Sequence, residues 1–243
     1  TQADFDQLQT RGLTVPNLTV GSRFARPENS TVYEIGVKAK LDRGYVNVTV
    51  FDQTIKGFQS NVFTGTGFNL ANAGSQSAQG IEVDFLYSPI DNLSLTGGAI
   101  FMDPVYDSFP GAAGPGGTVV DLTGERPGGI HKSSWTLGAT YDFTVGGREG
   151  FLRADWLHEG ETPVAENVLA AQVGGNAFRK VDTVNASAGI DVTDDVSLLI
   201  FGRNLFNDEY PLSIFPAVAQ AGSFSGYPNA PRTYGASVRF DFD

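Results

Sequence analysis

Residues 134–145 read SWTLGATYDFTV, a stretch in which apolar and polar side chains alternate without interruption. Successive side chains of a β-strand point to opposite faces, so an alternation of this length predicts a strand with one apolar and one polar face. The polar side of this strand would carry Ser, Thr, Gly and one Asp. The apolar side would carry Trp135, Leu137, Ala139, Tyr141, Phe143 and Val145.

The same alternation recurs in residues 31–41 (TVYEIGVKAKL) and 232–242 (RTYGASVRFDF). Less regular segments complete a prediction of about ten strands, and none has the 3.6-residue periodicity of an amphipathic helix. We therefore assign the chain to the all-β class, with antiparallel strands. The less regular strands are predicted near 13–26, 44–56, 76–88, 93–104, 149–160, 179–191 and 196–207.

The composition agrees with a β-rich chain and excludes several kinds of function. The 243 residues include 30 Gly and 18 Phe but no Cys, so a disulfide framework, a zinc–thiolate site and a cysteine nucleophile are excluded. The formal net charge is −11 and no basic stripe is present, which argues against a nucleic-acid partner. No apolar run reaches the roughly 18 residues that a membrane-spanning helix requires.

The connections between the predicted strands alternate regularly in length. Four are short and turn-like, and four are long. Transmembrane β-barrels sort their connections in this way, because their periplasmic turns are short and their extracellular loops are long. The pattern therefore predicts an antiparallel transmembrane β-barrel. The short connections are 42–44, 88–92, 145–149 and 192–195, and the long ones are 57–75, 105–131, 161–178 and 208–230.

Alternation alone leaves open which face points inward, because a soluble barrel would fill its interior with the apolar face. Three features favour the membrane barrel: aromatic residues near strand ends, many Ala residues on the apolar faces, and numerous charges on the polar faces. In such a barrel the apolar face contacts lipid and the polar face lines the lumen. The aromatic residues expected in an interfacial girdle are Tyr87, Phe143, Phe240 and Phe242.

Four motifs follow one another over nearly the whole chain, in residues 27–59, 72–89, 202–211 (GRNLFNDEYP) and 231–242. In this order and spacing they resemble the C-terminal barrel of TonB-dependent outer-membrane receptors. Asp243, after the terminal aromatic, departs from the family pattern. The motif residues are Tyr33, Glu34, Gly36, Lys38, Gly80, Glu82, Asn204, Leu205, Phe206, Tyr210, Pro231 and Arg232.

The resemblance implies that residues 1–243 are the C-terminal part of a larger barrel of about 22 strands. The plug domain, the N-terminal barrel strands and the TonB box would then be absent from the sequence. The opening TQADFDQLQT, with neither an initiator Met nor a signal peptide, agrees with a piece of a longer or processed protein. The implied location is the bacterial outer membrane. The implied partners are the lipid bilayer, the TonB complex through the missing N-terminal region, and a small-molecule nutrient, with no cofactor.

The long loops are where specificity for that nutrient is expected. Aromatic residues on such loops suit the capture of an amphipathic ligand such as a siderophore, a glycan or a cobalamin-like molecule. The alternative for the same residues is packing between loops. The candidates are Phe63, Phe68, Tyr106, Phe109, Phe215, Phe224 and Tyr227.

Other motif positions have simpler structural explanations. Gly36 and Gly80 are predicted to be packing or bulge positions. Asn204 and Asp208 are predicted to hydrogen-bond local backbone where a strand leaves the sheet, and Pro211 prevents that strand from continuing.

Two other classes of function remain open from the sequence. The first is a self-contained outer-membrane barrel of about ten strands with a pore or structural role. The second is an outer-membrane hydrolase, which would need a Ser/His or Asp/His site near the outer rim. The only histidines are His131 and His158, and neither has a partner at recognisable spacing. We therefore predict no catalytic residue and no metal site.

Overall fold

The computed structural model describes residues 26–63, 68–72, 74–113, 119–165, 177–216 and 223–242, and nearly all of this backbone is extended. Within these ranges no helix is long and apolar enough to cross a membrane. The strands are β1 (Asn29–Leu41), β2 (Gly44–Lys56), β3 (Gln59–Phe63), β4 (Phe68–Asn72), β5 (Ser75–Ile90), β6 (Leu93–Ser108), β7 (Ala112–Ala113), β8 (Val119–Val120), β9 (Ser133–Val145), β10 (Arg148–Pro163), β11 (Phe178–Asp191), β12 (Val196–Arg203), β13 (Pro211–Pro216), β14 (Phe224–Pro228) and β15 (Thr233–Phe240).

Nine of these strands form one sheet in the order β1-β2-β5-β6-β9-β10-β11-β12-β15, and every neighbouring pair is antiparallel. The remaining strands form three two-stranded hairpins, β3–β4, β7–β8 and β13–β14. Each hairpin lies inside one of the long connections. Among the described residues, β1 and β15 each have one edge that pairs with no other strand.

This topology confirms the antiparallel β architecture predicted from the sequence, and nine of the ten predicted strands are present. The tenth, near 13–26, falls almost wholly outside the described residues. The connections also alternate as predicted. All short turns lie at one end of the sheet, the short-turn end, and all long connections lie at the other, the long-connection end.

The short turns are tight and linked to one another. Gly146 and Gly147 have φ of 59° and 79°, the pair of positive angles that a two-residue type I′ hairpin requires. Neighbouring turns are joined by ion pairs, one between Arg43 and Asp91 and one from Arg148 to Asp194. The short-turn end therefore holds adjacent hairpins in fixed register.

The prediction of a strand over 196–207 was wrong at its end, because β12 stops at Arg203. Asn204 and Asn207 have φ of 49° and 54°, in the left-handed region that ends an extended strand. Asn tolerates this region better than most residues do. A period-two pattern does not contain this information, because it reports which face a side chain occupies and not the backbone angles at Asn204 and Asn207.

The pleat divides the sheet into an apolar face and a polar face. Register places Ile35, Val50, Ile81 and Phe101 in one cross-strand row of the apolar face. Other members of this face are Tyr33, Val37, Val48, Val83, Leu95, Leu137, Leu152, Ala186, Ala188, Ile200 and Val238. The polar face includes Glu34, Lys38, Lys40, Asn47, Thr49, Glu82, Asp84, Thr136, Thr140, Arg153, Asp155, Ser187, Arg203 and Arg239.

The buried hydrophobic cluster lies at the long-connection end. Phe58 stacks on Tyr106 with ring centroids 5.3 Å apart, and Phe109 packs edge-on against both rings. Ala112 and Leu122 complete the cluster. This part of the loops is therefore packed like a small core.

Glycine residues in the sheet lie opposite phenylalanine residues on the neighbouring strand. At five such pairs a ring atom lies 2.3–2.8 Å from where a glycine Cβ would be, so the ring covers the glycine backbone. Gly36 and Gly80 are accordingly packing positions, since the register shifts lie elsewhere. The pairs are Phe51–Gly80, Phe85–Gly97, Phe143–Gly150, Phe151–Gly189 and Phe201–Gly235.

This packing predicts different outcomes for two glycines of the polar face. A Cβ at Gly80 would lie 2.4 Å from the carbonyl oxygen of Phe101, which cannot move without breaking the sheet, whereas the nearest atom to a Cβ at Gly98 is 3.7 Å away. Gly80→Ala should lower the free energy of unfolding by about 1–3 kcal/mol. Gly98→Ala should be neutral or stabilise by up to about 1 kcal/mol. Equilibrium urea unfolding in detergent measures both, and equal effects would contradict this packing.

Candidate functional site

A network of asparagine side chains organises the GRNLFNDEYP segment at the long-connection end. Asn204 is 5% exposed. Its Nδ2 donates to the carbonyl oxygens of Asp208 (2.9 Å) and Ala230 (3.2 Å), and its Oδ1 accepts from the backbone N–H of Asp208 (2.8 Å). The backbone N–H of Asn204 donates to Oδ1 of Asn185 on β11 (3.0 Å). The predicted bonding to local backbone is therefore present for Asn204, whereas the Asp208 carboxylate instead accepts from the backbone N–H of Asp182 on β11 at 2.7 Å.

Asn229 and Arg232 connect this turn to the approach to β15. Nδ2 of Asn229 donates to the carbonyl oxygen of Asp208, and its Oδ1 accepts from the N–H of Tyr210. The N–H of Arg232 donates to Oδ1 of Asn207 at 3.1 Å. The motif residues 204–210 and 231–232 thus form one latch that fixes how the last long connection leaves and re-enters the sheet.

The remaining motif residues lie within strands. Glu34, Gly36 and Lys38 lie on the polar face of β1, and Gly80 and Glu82 lie on the polar face of β5. Tyr33 lies on the apolar face, 73% exposed. In the latch, the Leu205 side chain packs over Gly202, 2.5 Å from where a Cβ of Gly202 would be. Phe206 is 76% exposed. Pro231 lies in the segment just before β15.

The structure brings the four expected girdle aromatics to the short-turn end. Tyr87, Phe143 and Phe240 share the apolar face, and the exposed ring of Phe242 stacks on Phe240 with centroids 6.4 Å apart. Their placement matches the prediction, and their role in contacting a membrane interface stays a prediction.

A second aromatic band, which the sequence analysis missed, lies at the other end of the apolar face. Trp135 and Phe143 on β9 are separated by about 27 Å along the strand, which a typical barrel tilt shortens to about 20 Å. This is close to the roughly 25 Å apolar band of outer-membrane barrels. The alternation in 134–145 contained this signal, since Trp135 is its first apolar position. The band consists of Tyr33, Phe101, Trp135, Trp156 and Tyr234.

His158 lies in this second band and has a partner that the sequence did not reveal. Its Nδ1 is 2.7 Å from Oδ1 of Asp182, the residue directly opposite on β11, and its ring stacks on Trp135 at 3.8 Å. Nε1 of Trp156 donates to the same carboxylate oxygen at 3.3 Å. Among the described residues, no hydroxyl side chain bonds the imidazole, and no group of three His, Cys, Asp or Glu is placed to hold a metal ion.

The polar face carries side chains that are hydrogen-bonded or ion-paired with one another. Nδ2 of Asn47 donates to Asp84 at 2.9 Å, in the interior of the sheet. At the long-connection end, Arg179 binds Glu159 at 2.9 Å, with both side chains less than a fifth exposed. Arg179 also donates to the carbonyl oxygen of Leu212, which ties hairpin β13–β14 to the sheet.

The loop aromatics divide into three groups. Tyr106 and Phe109 are 4% and 5% exposed. These two side chains therefore pack against neighbouring residues and are not accessible to a ligand. On hairpin β13–β14, the rings of Phe215 and Tyr227 lie 5.5 Å apart, with Tyr227 63% exposed and Phe224 partly exposed. The side chains of the paired residues Phe63 and Phe68 lie outside the described part of the chain.

Beside the buried cluster, Thr123 organises the turn that follows β8. Its hydroxyl accepts from the N–H of Phe109 at 3.0 Å. Hydrogen bonds from the side chain and the backbone N–H of Thr123 lower the pKa of Asp121, which keeps this exposed carboxylate ionised. The turn is thereby held against the loop core.

The latch predicts a specific order of stabilities at Asn204. Asn204→Ala removes three hydrogen bonds and places an L side chain without local bonding in the left-handed region, so the free energy of unfolding should fall by about 2–4 kcal/mol. Asn204→Gly should lose about 1 kcal/mol less, because glycine tolerates the angle. The control Phe206→Ala, at an exposed position, should change the free energy of unfolding by less than about 0.5 kcal/mol. Urea unfolding measures the series, and a small effect of both Asn204 variants would contradict the latch.

Comparison with known proteins identifies the family of the chain and solved structures of similar fold. A family model described as TonB dependent receptor-like, beta-barrel matches residues 2–205. No curated protein matches the chain. The ferric yersiniabactin uptake receptor FyuA from Yersinia pestis is 18% identical, with a TM-score of 0.70, over 89% of this chain and 30% of the receptor.

Two receptors from Acinetobacter baumannii are also similar to this chain. The siderophore receptor PiuA is 18% identical, with a TM-score of 0.68, over 92% of this chain and 30% of that receptor. The ferric preacinetobactin receptor BauA is 22% identical, with a TM-score of 0.60, over 88% and 29%. At these identities the likeness establishes the fold alone. The chain spans less than a third of the length of these structures.

Proposed function

Because the chain belongs to the TonB-dependent receptor β-barrel family, we propose that it forms part of the barrel of an outer-membrane receptor for a scarce small-molecule nutrient. The family implies the outer membrane of Gram-negative bacteria. Transport would be energised through the TonB complex, which would contact the N-terminal region of the whole receptor. The chain would contribute barrel wall, lumen lining and outer loops.

One observation carries this proposal, namely the exposure of the apolar face. On β1, the side chains of Tyr33, Ile35 and Val37 are 73%, 78% and 68% exposed. On the same face near the opposite edge of the sheet, Ile200 and Val238 are each more than 50% exposed. A contiguous apolar surface of this kind is unfavourable in water. It is favourable against hydrocarbon, because the backbone groups of paired strands are satisfied within the sheet. The two aromatic bands would then lie at the two membrane interfaces.

The sheet would be a sector of a larger barrel. Among the described residues, one edge of β1 and one edge of β15 pair with no other strand, and hydrocarbon does not tolerate backbone groups that lack a hydrogen-bond partner. The similar structures are about three times as long as this chain. We propose that residues 1–243 are the C-terminal part of such a barrel and that the plug and the N-terminal strands belong to the same longer receptor.

The ligand would bind at the long-connection end. Hairpin β13–β14 presents Phe215 and Tyr227 there, next to the latch and to the Glu159–Arg179 pair. Aromatic surface beside paired charges suits an amphipathic ligand of siderophore, cobalamin or glycan type. The names of the similar receptors, which include ferric yersiniabactin and ferric preacinetobactin, favour an iron chelate among these.

We propose no covalent chemistry on this chain. The His158–Asp182 pair lies on the apolar face, away from the lumen and without a nucleophile bonded to the imidazole among the described residues. A hydrolase would need a nucleophilic hydroxyl side chain or a water molecule bonded to this imidazole, and a substrate in contact with that nucleophile.

A gel-mobility experiment on outer membranes from the native source tests the proposed architecture. If the chain is a sector of a larger receptor, we expect an outer-membrane protein that is heat-modifiable and has a mass well above the 25.9 kDa of this chain. A heat-modifiable species of about that mass would instead support the self-contained small barrel. The absence of any heat-modifiable form would contradict a membrane barrel of either kind.

Uptake of radioactive iron from a panel of ferric chelates tests the proposed transport. Cells with the receptor should accumulate iron from one chelate, and deletion of TonB should abolish the uptake. Tyr227→Ala should weaken binding of that chelate about ten-fold, as expected for loss of an aromatic contact. Phe206→Ala, which removes a similarly exposed aromatic ring outside the hairpin, should leave binding unchanged. Uptake that persists without TonB would contradict the proposal.

A further inference from the structure

Arg203, the last residue of β12, is an exposed cation on the polar face at the long-connection end. Its guanidinium lies over the ring of Phe201, two residues earlier on the same face, with Cζ 5.3 Å from the ring centroid. Within the described part of the chain, it has no carboxylate partner and donates no hydrogen bond. The ring holds one face of the guanidinium, and the N–H groups at its edge stay free to donate.

Two polar-face carboxylates of β10 lie two strands away from β12, and both are already paired. Asp155 accepts two hydrogen bonds from Arg153, at 2.6 and 2.9 Å. Glu159, further along the same face, pairs with Arg179 at 2.9 Å. Each of these pairs has no net charge. Arg203 therefore contributes a positive charge to this part of the polar face that neither carboxylate compensates.

Asn185, on the strand between β10 and β12, offers a second donor whose direction is fixed. Ala186 pairs with Gly202 in the sheet. The next residues outward on the two strands, Asn185 and Arg203, are therefore neighbours on the polar face. Oδ1 of Asn185 accepts from the backbone N–H of Asn204 at 3.0 Å, which only the amide oxygen can do. Its Nδ2 group is thereby turned away from Asn204, and it donates to no acceptor among the described residues.

We propose that Arg203 and Asn185 bind a carboxylate of the transported ligand, at the outer end of the lumen wall. The proposal rests on the proposed function, because it requires the polar face to line the lumen that the ligand enters. A carboxylate has two coplanar oxygens, which match the parallel N–H groups along one edge of a guanidinium. The charge of Arg203 balances that of one carboxylate, and the Asn185 amide supplies a further donor.

Fluorine nuclear magnetic resonance of a small carboxylate tests the subsite directly. The probe is para-fluorobenzoate, which is added to the whole receptor in detergent, and the width of its fluorine signal reports the bound fraction. The control ligand is para-fluorobenzamide, which has nearly the same shape and no charge. We expect the receptor to bind the benzoate at least about ten-fold more tightly than the benzamide, because hydrogen bonds between two charged groups are stronger than those to a neutral amide.

Three variants locate the bound carboxylate. Arg203→Gln removes the charge and should weaken binding of para-fluorobenzoate about ten-fold, to the level of the benzamide. Arg203→Lys keeps the charge without the parallel N–H groups, so its affinity should lie between the two. Asn185→Asp keeps an oxygen that accepts from Asn204 but adds a negative charge, so it should weaken binding at least as much as Arg203→Gln. The control Arg126→Gln, between β8 and β9, should leave binding unchanged.

The uptake experiment shows whether the transported ligand uses this subsite. The ferric chelate that the cells accumulate should carry a free carboxylate. Arg203→Gln should raise the chelate concentration for half-maximal uptake about ten-fold and leave the maximal rate unchanged, because Arg203 contacts the ligand and takes no part in energy coupling. Its free energy of unfolding in urea should equal that of the wild-type receptor, which separates ligand binding from a structural role.

The outcomes separate the two proposals. Equal binding of para-fluorobenzoate by the wild-type receptor and Arg203→Gln, or TonB-dependent uptake of a chelate without a carboxylate, would overturn the subsite and leave the proposed function intact. A loss of stability in Arg203→Gln without a change in binding would assign Arg203 to a contact within the receptor, and would also overturn the subsite. Uptake that persists without TonB would overturn both, because the bound carboxylate would then not belong to a ligand transported in this way.

Discussion

The register of the nine-stranded sheet is the constraint on which the other features depend. A shift of one residue between two strands would move every side chain of one strand to the opposite face. Two devices hold the register. Tight turns such as Gly146–Gly147 fix it at one end, and the phenylalanine rings that cover glycines on the neighbouring strand fix it along the sheet. The exposed apolar face, the charged polar face and both aromatic bands follow from it.

The sequence predicted the parts of this fold that are local. Alternation and turn composition located nine strands and their short connections, because pleat and turn geometry act within a few residues. The end of β12 was missed, since it depends on Asn204 accepting and donating bonds to residues up to 26 positions away. The loop hairpins were missed for a similar reason, since each forms within a long connection that alternation alone cannot resolve.

The candidate site was predicted less completely, because its residues meet across strands. His158 and Asp182 are 24 positions apart, and only the β10–β11 register brings them together. The sequence assigned aromatic residues to the long connections, but Tyr106 lies in β6, and the sequence did not separate exposed from buried side chains. Tyr106 and Phe109 pack inside the loop core, whereas Tyr227 remains accessible. That difference depends on how one long connection folds against the next, which a single sequence does not specify.

Accessibility of spin labels along β9 tests the central claim, that the apolar face contacts lipid and the polar face lines a wet lumen. The chain has no Cys, so single cysteines can be introduced at Thr136, Leu137, Ala139 and Thr140 without removing native thiols. In reconstituted receptor, labels at Leu137 and Ala139 should be accessible to oxygen, which concentrates in hydrocarbon. Labels at Thr136 and Thr140 should be accessible to a water-soluble nickel chelate. Reversed accessibility, or the absence of alternation, would contradict the account.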